Sequence, residues 1–253
     1  MRIALKFAYD GRSFYGYARQ PKLKTIEDEI LKIFIKNDLI KDANSSLFRS
    51  ASRTDKGVSA LGNVIAFNTN YFNEITLNEL SRESEDIIFY GYKKVESDFY
   101  PRHALMRHYR YYLETDDMDI KEITKSIPIF TGEHNFSNFA RVETLKNPIR
   151  KIDKIDYLEK KSYLIIDFYA QTFLWHQIRR IISALMKIGN QQIEKEKIIY
   201  ALKNPNIIVD FGLASSKPLI LKDVKYDFEF QIGAHLSEKA TSLENKIIST
   251  LKK

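Results

Sequence analysis

Asp55 stands in the stretch Ser52-Arg53-Thr54-Asp55-Lys56-Gly57-Val58, with cations at 53 and 56 and a glycine two residues on. Cations close to a carboxylate hold it ionised even where water is partly excluded. An ionised, positioned aspartate can attack an electrophilic carbon. Gly57 offers a backbone angle that other residues avoid. The same residue types also describe an ordinary hairpin turn, with Asp before Lys-Gly.

A second cluster is Phe173-Leu174-Trp175-His176-Gln177-Ile178-Arg179-Arg180, read as the opening of a helix over 174–188. Consecutive helical residues point about 100 degrees apart. One of Arg179 and Arg180 can therefore face a cleft while the other meets solvent or RNA. An arginine among Ile178, Ile181, Ile182, Leu185 and Met186 needs an anionic partner if it is buried, or else it snorkels at the helix edge.

Arg107-His108-Tyr109-Arg110-Tyr111-Tyr112 interleaves cations with rings. On a strand, Tyr109 and Tyr111 share one face and Arg110 and Tyr112 the other. That pattern suits a face that stacks a base, and equally an amphipathic strand with aromatic core residues. Phe14-Tyr15-Gly16-Tyr17-Ala18-Arg19-Gln20-Pro21-Lys22-Leu23-Lys24 reads as a basic, aromatic loop, fit either for RNA or for an ordinary surface. The five histidines show no metal-ligand spacing, and no glycine-rich phosphate loop or serine-histidine-acid pattern appears.

The elements that must position these groups follow from periodicity. Residues 2–9 alternate apolar and polar and predict a half-buried strand, followed by a turn at Asp10-Gly11-Arg12-Ser13. Thr25 with Asp28 three residues on starts a helix that reaches about Asn37. Strands are expected over 47–51, 63–68, 87–95, 106–114, 149–158, 162–171 and 219–230, the last as one long strand or a pair. Helices are expected over 119–126, 174–188 with Gly189 as its stop, 193–203 and 236–251. Strands lie mostly in adjacent pairs, which favours an α+β fold with antiparallel sheet over a βαβ repeat. A boundary near 96–104 divides the chain into α+β halves, 1–100 and 101–253.

The 253 residues are 44% hydrophobic and 29% charged, the balance of a globular protein, and no apolar run approaches the ~18 residues of a membrane span. The segment 1–7 returns to charge too soon for a secretory signal. The absence of cysteine excludes disulfides, thiolate metal sites and cysteine nucleophiles. A cytoplasmic location fits. The net charge of +7 favours a polyanionic partner, and rings are what unstacked bases pack against.

In order along the chain, these segments resemble the TruA family of tRNA pseudouridine synthases. Tyr9-Asp10-Gly11 with Phe14 to Gln20 is similar to its N-terminal motif, Tyr17 standing where many members carry Trp. Ser52 to Ala60 is similar to its R-T-D-x-G-V catalytic loop, with Ser52 as in archaeal and eukaryotic relatives. Arg107 to Tyr111 resembles R-x-Y-R-Y, Gly132 to Phe139 resembles G-x-x-D/N-F-x-x-F, and Phe173 to Arg180 resembles F-x-x-H-x-x-R. A departure is Pro218 before Leu219-Ile220-Leu221, where bacterial members read Gly-Leu-x-Leu.

The resemblance implies a pseudouridine synthase fold, two subdomains with mostly antiparallel sheets joined around a central basic catalytic cleft. It implies a homodimer that grips the anticodon arm of tRNA and isomerises uridine at tRNA positions 38 to 40, without cofactor or metal. Asp55 would start glycosidic cleavage, Arg179 would pair with it, Tyr109 would stack on the flipped uracil, and Arg53 would displace or hold the nucleotide. Leu219 would be an apolar wall. Lys56, Arg12, Arg19, Lys22, Lys24 and Arg102 are the candidate substrate contacts. The alternatives are a non-catalytic RNA-binding module, a related synthase acting on another tRNA position, and a metal-dependent nuclease. The first leaves a carboxylate in an RNA-binding cleft unexplained, because it repels phosphate. The last needs several convergent carboxylates, which the sequence does not offer.

Overall fold

A computed structural model describes residues 1–144 and 146–251. In chain order the first elements are β1 (Arg2–Tyr9), α1 (Ile26–Lys36), β2 (Arg49–Ser50), β3 (Ser59–Asn68), α2 (Glu74–Leu80) and β4 (Ile87–Val95). Next come β5 (Met106–Glu114), α3 (Ile120–Ser126), β6 (Gly132–Asn135), β7 (Ile149–Ile152), β8 (Lys154–Glu159), β9 (Tyr163–Ala170), α4 (Gln177–Gly189) and α5 (Lys195–Lys203). The chain continues through β10 (Leu219–Lys225), β11 (Gln231–Ile232) and α6 (Ala234–Leu251). The class is α+β, as expected.

Two compact units form, one from residues 1–105 together with 216–253, the other from 106–215. The sequence boundary near 96–104 lies close to the first division. The return of 216–253 to the first unit carries no compositional mark.

In the first unit the strand order is β11-β4-β1-β3-β10, with β2 also on β3. All its pairs are antiparallel except β10 with β3, which is parallel through Ile220–Ser59 and Leu221–Ala60. β1 is central, and its expected half-burial gives way to near-complete burial. Its two polar positions are satisfied inside. Arg2 Nε donates to the Phe99 carbonyl at 2.7 Å, and Lys6 Nζ to Asp223 at 2.5 Å. Thr25 caps α1 through the Asp28 N–H. Phe34 of α1 then packs its ring against Phe48, Phe67 and Phe89. In α6, Leu236, Ala240, Leu243 and Ile247 are buried at helical spacing.

Two strand expectations here shorten. The strand over 47–51 reduces to β2 because Leu47 takes φ +46, which no strand tolerates. The strand over 219–230 ends at Lys225, and β11 is a separate short piece. The helix α2 was not anticipated. Its only local signal is Asn73, whose side chain accepts the Thr76 N–H.

In the second unit β5-β9-β8 form an antiparallel sheet and β6 pairs with β7. The single strand expected over 149–158 is broken at Asp153 into β7 and β8, which pair with different partners. The helix expected from 174 starts at Gln177, because His176 takes φ +64, while the Leu174 N–H is bonded to the Gln177 side chain at 2.8 Å. Gly189 is not the stop. It is the last helical residue, and a Cβ there would lie 2.5 Å from Ile123 Cδ1. Glycine lets α3 and α4 approach closely.

Candidate active site

The residues singled out for chemistry fall in both units. In the first, residues 51–58 connect β2 to β3 as a loop. Its end is a β-turn: the Val58 N–H donates to the Asp55 carbonyl at 3.1 Å, and Gly57 at the third position has φ +84. A positive φ there is the type II requirement, which explains the glycine. Asp55 opens the turn and is half-buried.

The loop is held from below. Thr54 is buried, its hydroxyl 2.8 Å from that of Tyr9, and its carbonyl accepts the Tyr17 N–H at 3.1 Å. Asn63 of β3 donates to the Ser52 carbonyl at 3.0 Å. Two glycines of the N-terminal motif press backbone against backbone. A Cβ on Gly11 would fall 2.0 Å from the Val58 carbonyl oxygen, and one on Gly16 (φ +102) 3.3 Å from the Lys56 nitrogen. From the other side, Gly57 admits Ser216, whose Oγ would stand 2.9 Å from an added Cβ. The turn at 216–219 delivers Leu219, which is buried at the head of β10 despite Pro218.

Of the remaining first-unit candidates, Arg53 is exposed and Lys56 places its ammonium 4.2 Å from the centre of the Tyr15 ring. Arg12 is bound to Asp10 through both carboxylate oxygens. Burial raises the Asp10 pKa, but the Arg12 hydrogen bonds and charge outweigh it and hold the carboxyl below its ordinary value. Lys24 pairs with Asp86 at 3.0 Å, while Lys22 and Arg19 are exposed. Arg102 is also exposed.

In the second unit β5 is the expected strand, but its burial does not alternate, since Tyr111, Tyr112 and Leu113 are all buried. Tyr109 meets Phe173 edge to face at 5.4 Å between ring centres. On the same face Tyr111 is buried, and its hydroxyl donates to the Ser215 carbonyl at 3.1 Å. Arg179 Nε donates to the neighbouring Ala214 carbonyl at 2.9 Å. Burial drives the Tyr111 pKa up and the nearby Arg179 charge opposes it, so this phenol stays neutral. Arg180 points elsewhere, to Asp210 at 2.9 Å, as the 100-degree offset requires.

On the opposite face of β5, Asp167 of β9 accepts from Arg110 at 2.8 and 2.9 Å and lies 2.7 Å from His108 Nε2. Burial raises the Asp167 pKa, but the His108 and Arg110 bonds prevail and leave it lowered. Arg110 is correspondingly raised by Asp167. Arg110 and His108 are thus both held by one internal carboxylate, which the sequence reading did not assign, while Arg107 donates to the Gln171 carbonyl.

Residues 127–227 match the family model described as tRNA pseudouridine synthase. The chain is 40% identical over 243 residues to tRNA pseudouridine synthase A of Thermococcus sibiricus, covering 94% of this chain and 90% of that protein. The Pyrococcus furiosus protein of the same name is 42% identical over 241 residues, covering 92% and 86%. The chain belongs to the TruA family of tRNA pseudouridine synthases. It is therefore an isomerase, with the pseudouridine synthase fold. A solved Cbf5-Nop10-Gar1 complex is similar at a TM-score of 0.37 and 14% identity, over 73% of this chain and 45% of that one, too distant to carry an argument.

Within this TruA-family chain, the N-terminal motif and the Asp55 loop lie in one unit, where Gly11 and Gly16 of the first motif support the Asp55 turn. Arg107 to Tyr111 and Phe173 to Arg180 lie in the other, where the Tyr109–Phe173 contact links them. The sequence reading missed Gly11, Gly16 and Asn63 as supports of the loop. For Gly11 and Gly16 the signal was a glycine at a sharp turn; Asn63, inside β3, carried none.

Proposed function

We propose that the chain converts uridine to pseudouridine in the anticodon stem-loop of tRNA, at tRNA positions 38 to 40, with Asp55 as the catalytic carboxylate. Family membership supports the reaction. The observation that carries the assignment of Asp55 is its place at the head of a turn that two glycines and Thr54 hold in a fixed attitude. Rigid aim is what a carboxylate needs to meet a ribose carbon at reacting distance.

In the reaction the N1–C1′ bond of the uridine breaks, the uracil turns, and a C5–C1′ bond forms; the proton lost from C5 is balanced by one gained at the freed N1. The sum is an isomerisation that consumes no nucleotide and moves no net electrons. The base must leave its stack to be reached. Asp55 starts cleavage at the ribose, and Arg179 supplies the opposite charge that pairs with it. Tyr109 stacks on the uracil and serves the loss of the C5 proton. Arg53 displaces or holds the flipped nucleotide, Leu219 forms an apolar wall, Lys56 contacts the substrate, and Arg12, Arg19, Lys22, Lys24 and Arg102 face phosphate. Arg12 and Lys24 must then exchange or share Asp10 and Asp86, so we expect them to contribute least. A cytoplasmic homodimer completes the reading.

The test is tritium release from tRNA labelled at C5 of uridine, with tRNA binding measured in parallel. Wild type should release tritium, and Asp55→Asn should bind without release. Release by Asp55→Asn at the wild-type rate would remove Asp55 from the mechanism.

A further inference from the structure

Beside the catalytic loop, wholly within the first unit, lies a cavity of about 320 Å³ whose walls include Arg19, Arg49, Arg53, Arg102, Glu27 and Tyr100. Its four guanidiniums come from four separate stretches: the loop before α1, strand β2, the catalytic loop, and the turn after β4. Like charges gathered on one cavity repel unless an anion offsets them. Glu27 is the only carboxylate among the lining residues, and it is already engaged. Its Oε2 accepts the Arg19 N–H at 3.1 Å and lies 3.8 Å from the Arg19 guanidinium.

The ground behind the cavity adds positive charge. Arg2 is only 5% exposed, and its hydrogen bonds to Phe99, Leu47 and Asn68 all end on neutral oxygens. Burial lowers its pKa first and the charge of Arg49 second, so Arg49 projects its field onto a cation that cannot move away. Arg49 itself donates to the Phe48 carbonyl at 2.7 Å, again a neutral acceptor.

We propose that this pocket seats a phosphodiester of the RNA substrate next to the uridine that reacts at Asp55. The inference rests on the synthase reading given above. Guanidinium forks match phosphate oxygens in pairs, which ammonium groups do not. The volume sits at the small end of ligand sites and suits a phosphate with its sugar. Arg53 joins the two places, since it lines the pocket and precedes Asp55 by two residues. Arg49 is the new residue in this assignment. The pairing Arg49–Ala66 and Ser50–Ile65 fixes its backbone at the pocket wall.

The experiment compares wild type, Arg49→Gln and Arg49→Lys in binding tRNA transcript across a salt series, alongside KM and kcat from tritium release. Arg49→Gln should raise Kd and KM about five- to tenfold, with a smaller change in kcat. It should also flatten the slope of log K against log salt by about one. Arg49→Lys should restore the slope but only part of the affinity. Unchanged Kd and slope in Arg49→Gln would overturn the proposal. If Arg49→Gln melts early, Arg102→Gln makes the same test from another stretch of chain. Inorganic phosphate and uridine monophosphate are titrated against wild type with bound tRNA. Displacement weakened by Arg49→Gln supports a phosphate site for RNA. Tight binding of either that leaves tRNA in place marks a small-anion site and overturns the proposal. Tritium release by wild type tests the synthase reading separately, because the pocket is judged on Kd and salt slope.

Discussion

Replacing Gly16 by alanine isolates the support of the Asp55 turn. Gly16 has φ +102, beyond the left-handed region that an L-residue enters at modest cost. The strain of holding alanine there is about 1–3 kcal/mol. The new Cβ would also stand 3.3 Å from the Lys56 nitrogen, 3.6 Å from the Thr54 carbonyl oxygen and 3.7 Å from the Asp55 carbonyl carbon. All three are backbone atoms, so relief requires the loop to yield by a few tenths of an ångström. Taking about 2 kcal/mol in total, a chain of this size should melt about 4–8 °C lower.

The effect on chemistry should exceed what the stability loss accounts for. A misplacement near 1 Å can cost about a hundredfold in rate, so a shift of a few tenths should lower kcat about tenfold. At assay temperatures well below the melting point, both proteins are folded, and the lost rate reports the aim of Asp55. The assay is tritium release at saturating tRNA, with a calorimetric melt of the same samples. A variant that melts lower but keeps kcat within twofold would refute the argument that Gly16 aims the turn. One that melts like wild type would refute the steric reasoning itself.

Gly11→Ala is more severe, since a Cβ would lie 2.0 Å from the Val58 carbonyl oxygen; we expect a soluble yield well below that of Gly16→Ala, read by expression and melting. Gly189→Ala gains helix propensity of about 1 kcal/mol yet overpacks Ile123, and should lower stability by about 1 kcal/mol net in denaturant titration. Ile123→Val removes the colliding Cδ1, so the double variant should recover most of that loss; additive losses would count against close approach as the reason for the glycine. Tyr109→Phe should still bind tRNA while tritium release falls about a hundredfold or more, the scale of a lost proton-transfer group. An unchanged release rate would leave Tyr109 with stacking alone. Asp167→Asn should cost about 2–3 kcal/mol, because the Arg110 fork loses its charged acceptor, as measured by urea unfolding at pH 7.

The segments that carry the chemistry were legible because each combines local rules that agree. β5 is one continuous strand, so the faces of Tyr109 and Arg110 follow from its period of two, although Tyr111, Tyr112 and Leu113 are all buried. Thr25 with Asp28 marks the start of α1 to the residue. The Asp55 turn was visible as Lys-Gly after a carboxylate, though its type awaited the φ of Gly57. What escaped the reading is decided at a distance. Nothing near Gly189 announces Ile123, some 66 positions earlier, so the glycine reads as a helix stop. Leu47 and His176 adopt positive φ without being glycine, and each erased the end of an element that composition had extended. Asp167 looks like any polar residue on a strand until β9 pairs with β5 and sets it opposite Arg110. Leu219 was placed by resemblance, and the parallel pairing of β10 with β3 gives the physical reason it lies beside the loop.

The supports of the two units differ in kind, and acid separates them. The Asp55 turn is held mainly by backbone contacts at glycine and by neutral hydrogen bonds, which do not titrate. A carboxylate next to its Gly11 support is Asp10, which caps the short 3-10 turn at Gly11–Ser13 and binds Arg12. In the second unit Asp167 gathers both Arg110 and His108. Both carboxyls are lowered from an ordinary value of 3.8. A carboxyl lowered by folding stabilises the native state fully above its unfolded pKa, and that contribution fades as pH falls through the folded one. These two pairs therefore leave stability flat on the alkaline side of about pH 5 and withdraw it below about pH 4. Asp167→Asn should remove much of the acid-dependent loss in urea titrations run from pH 6 down to 3. A variant whose stability falls with acid as steeply as wild type would place the sensitivity elsewhere, with Asp10 the next carboxyl to replace.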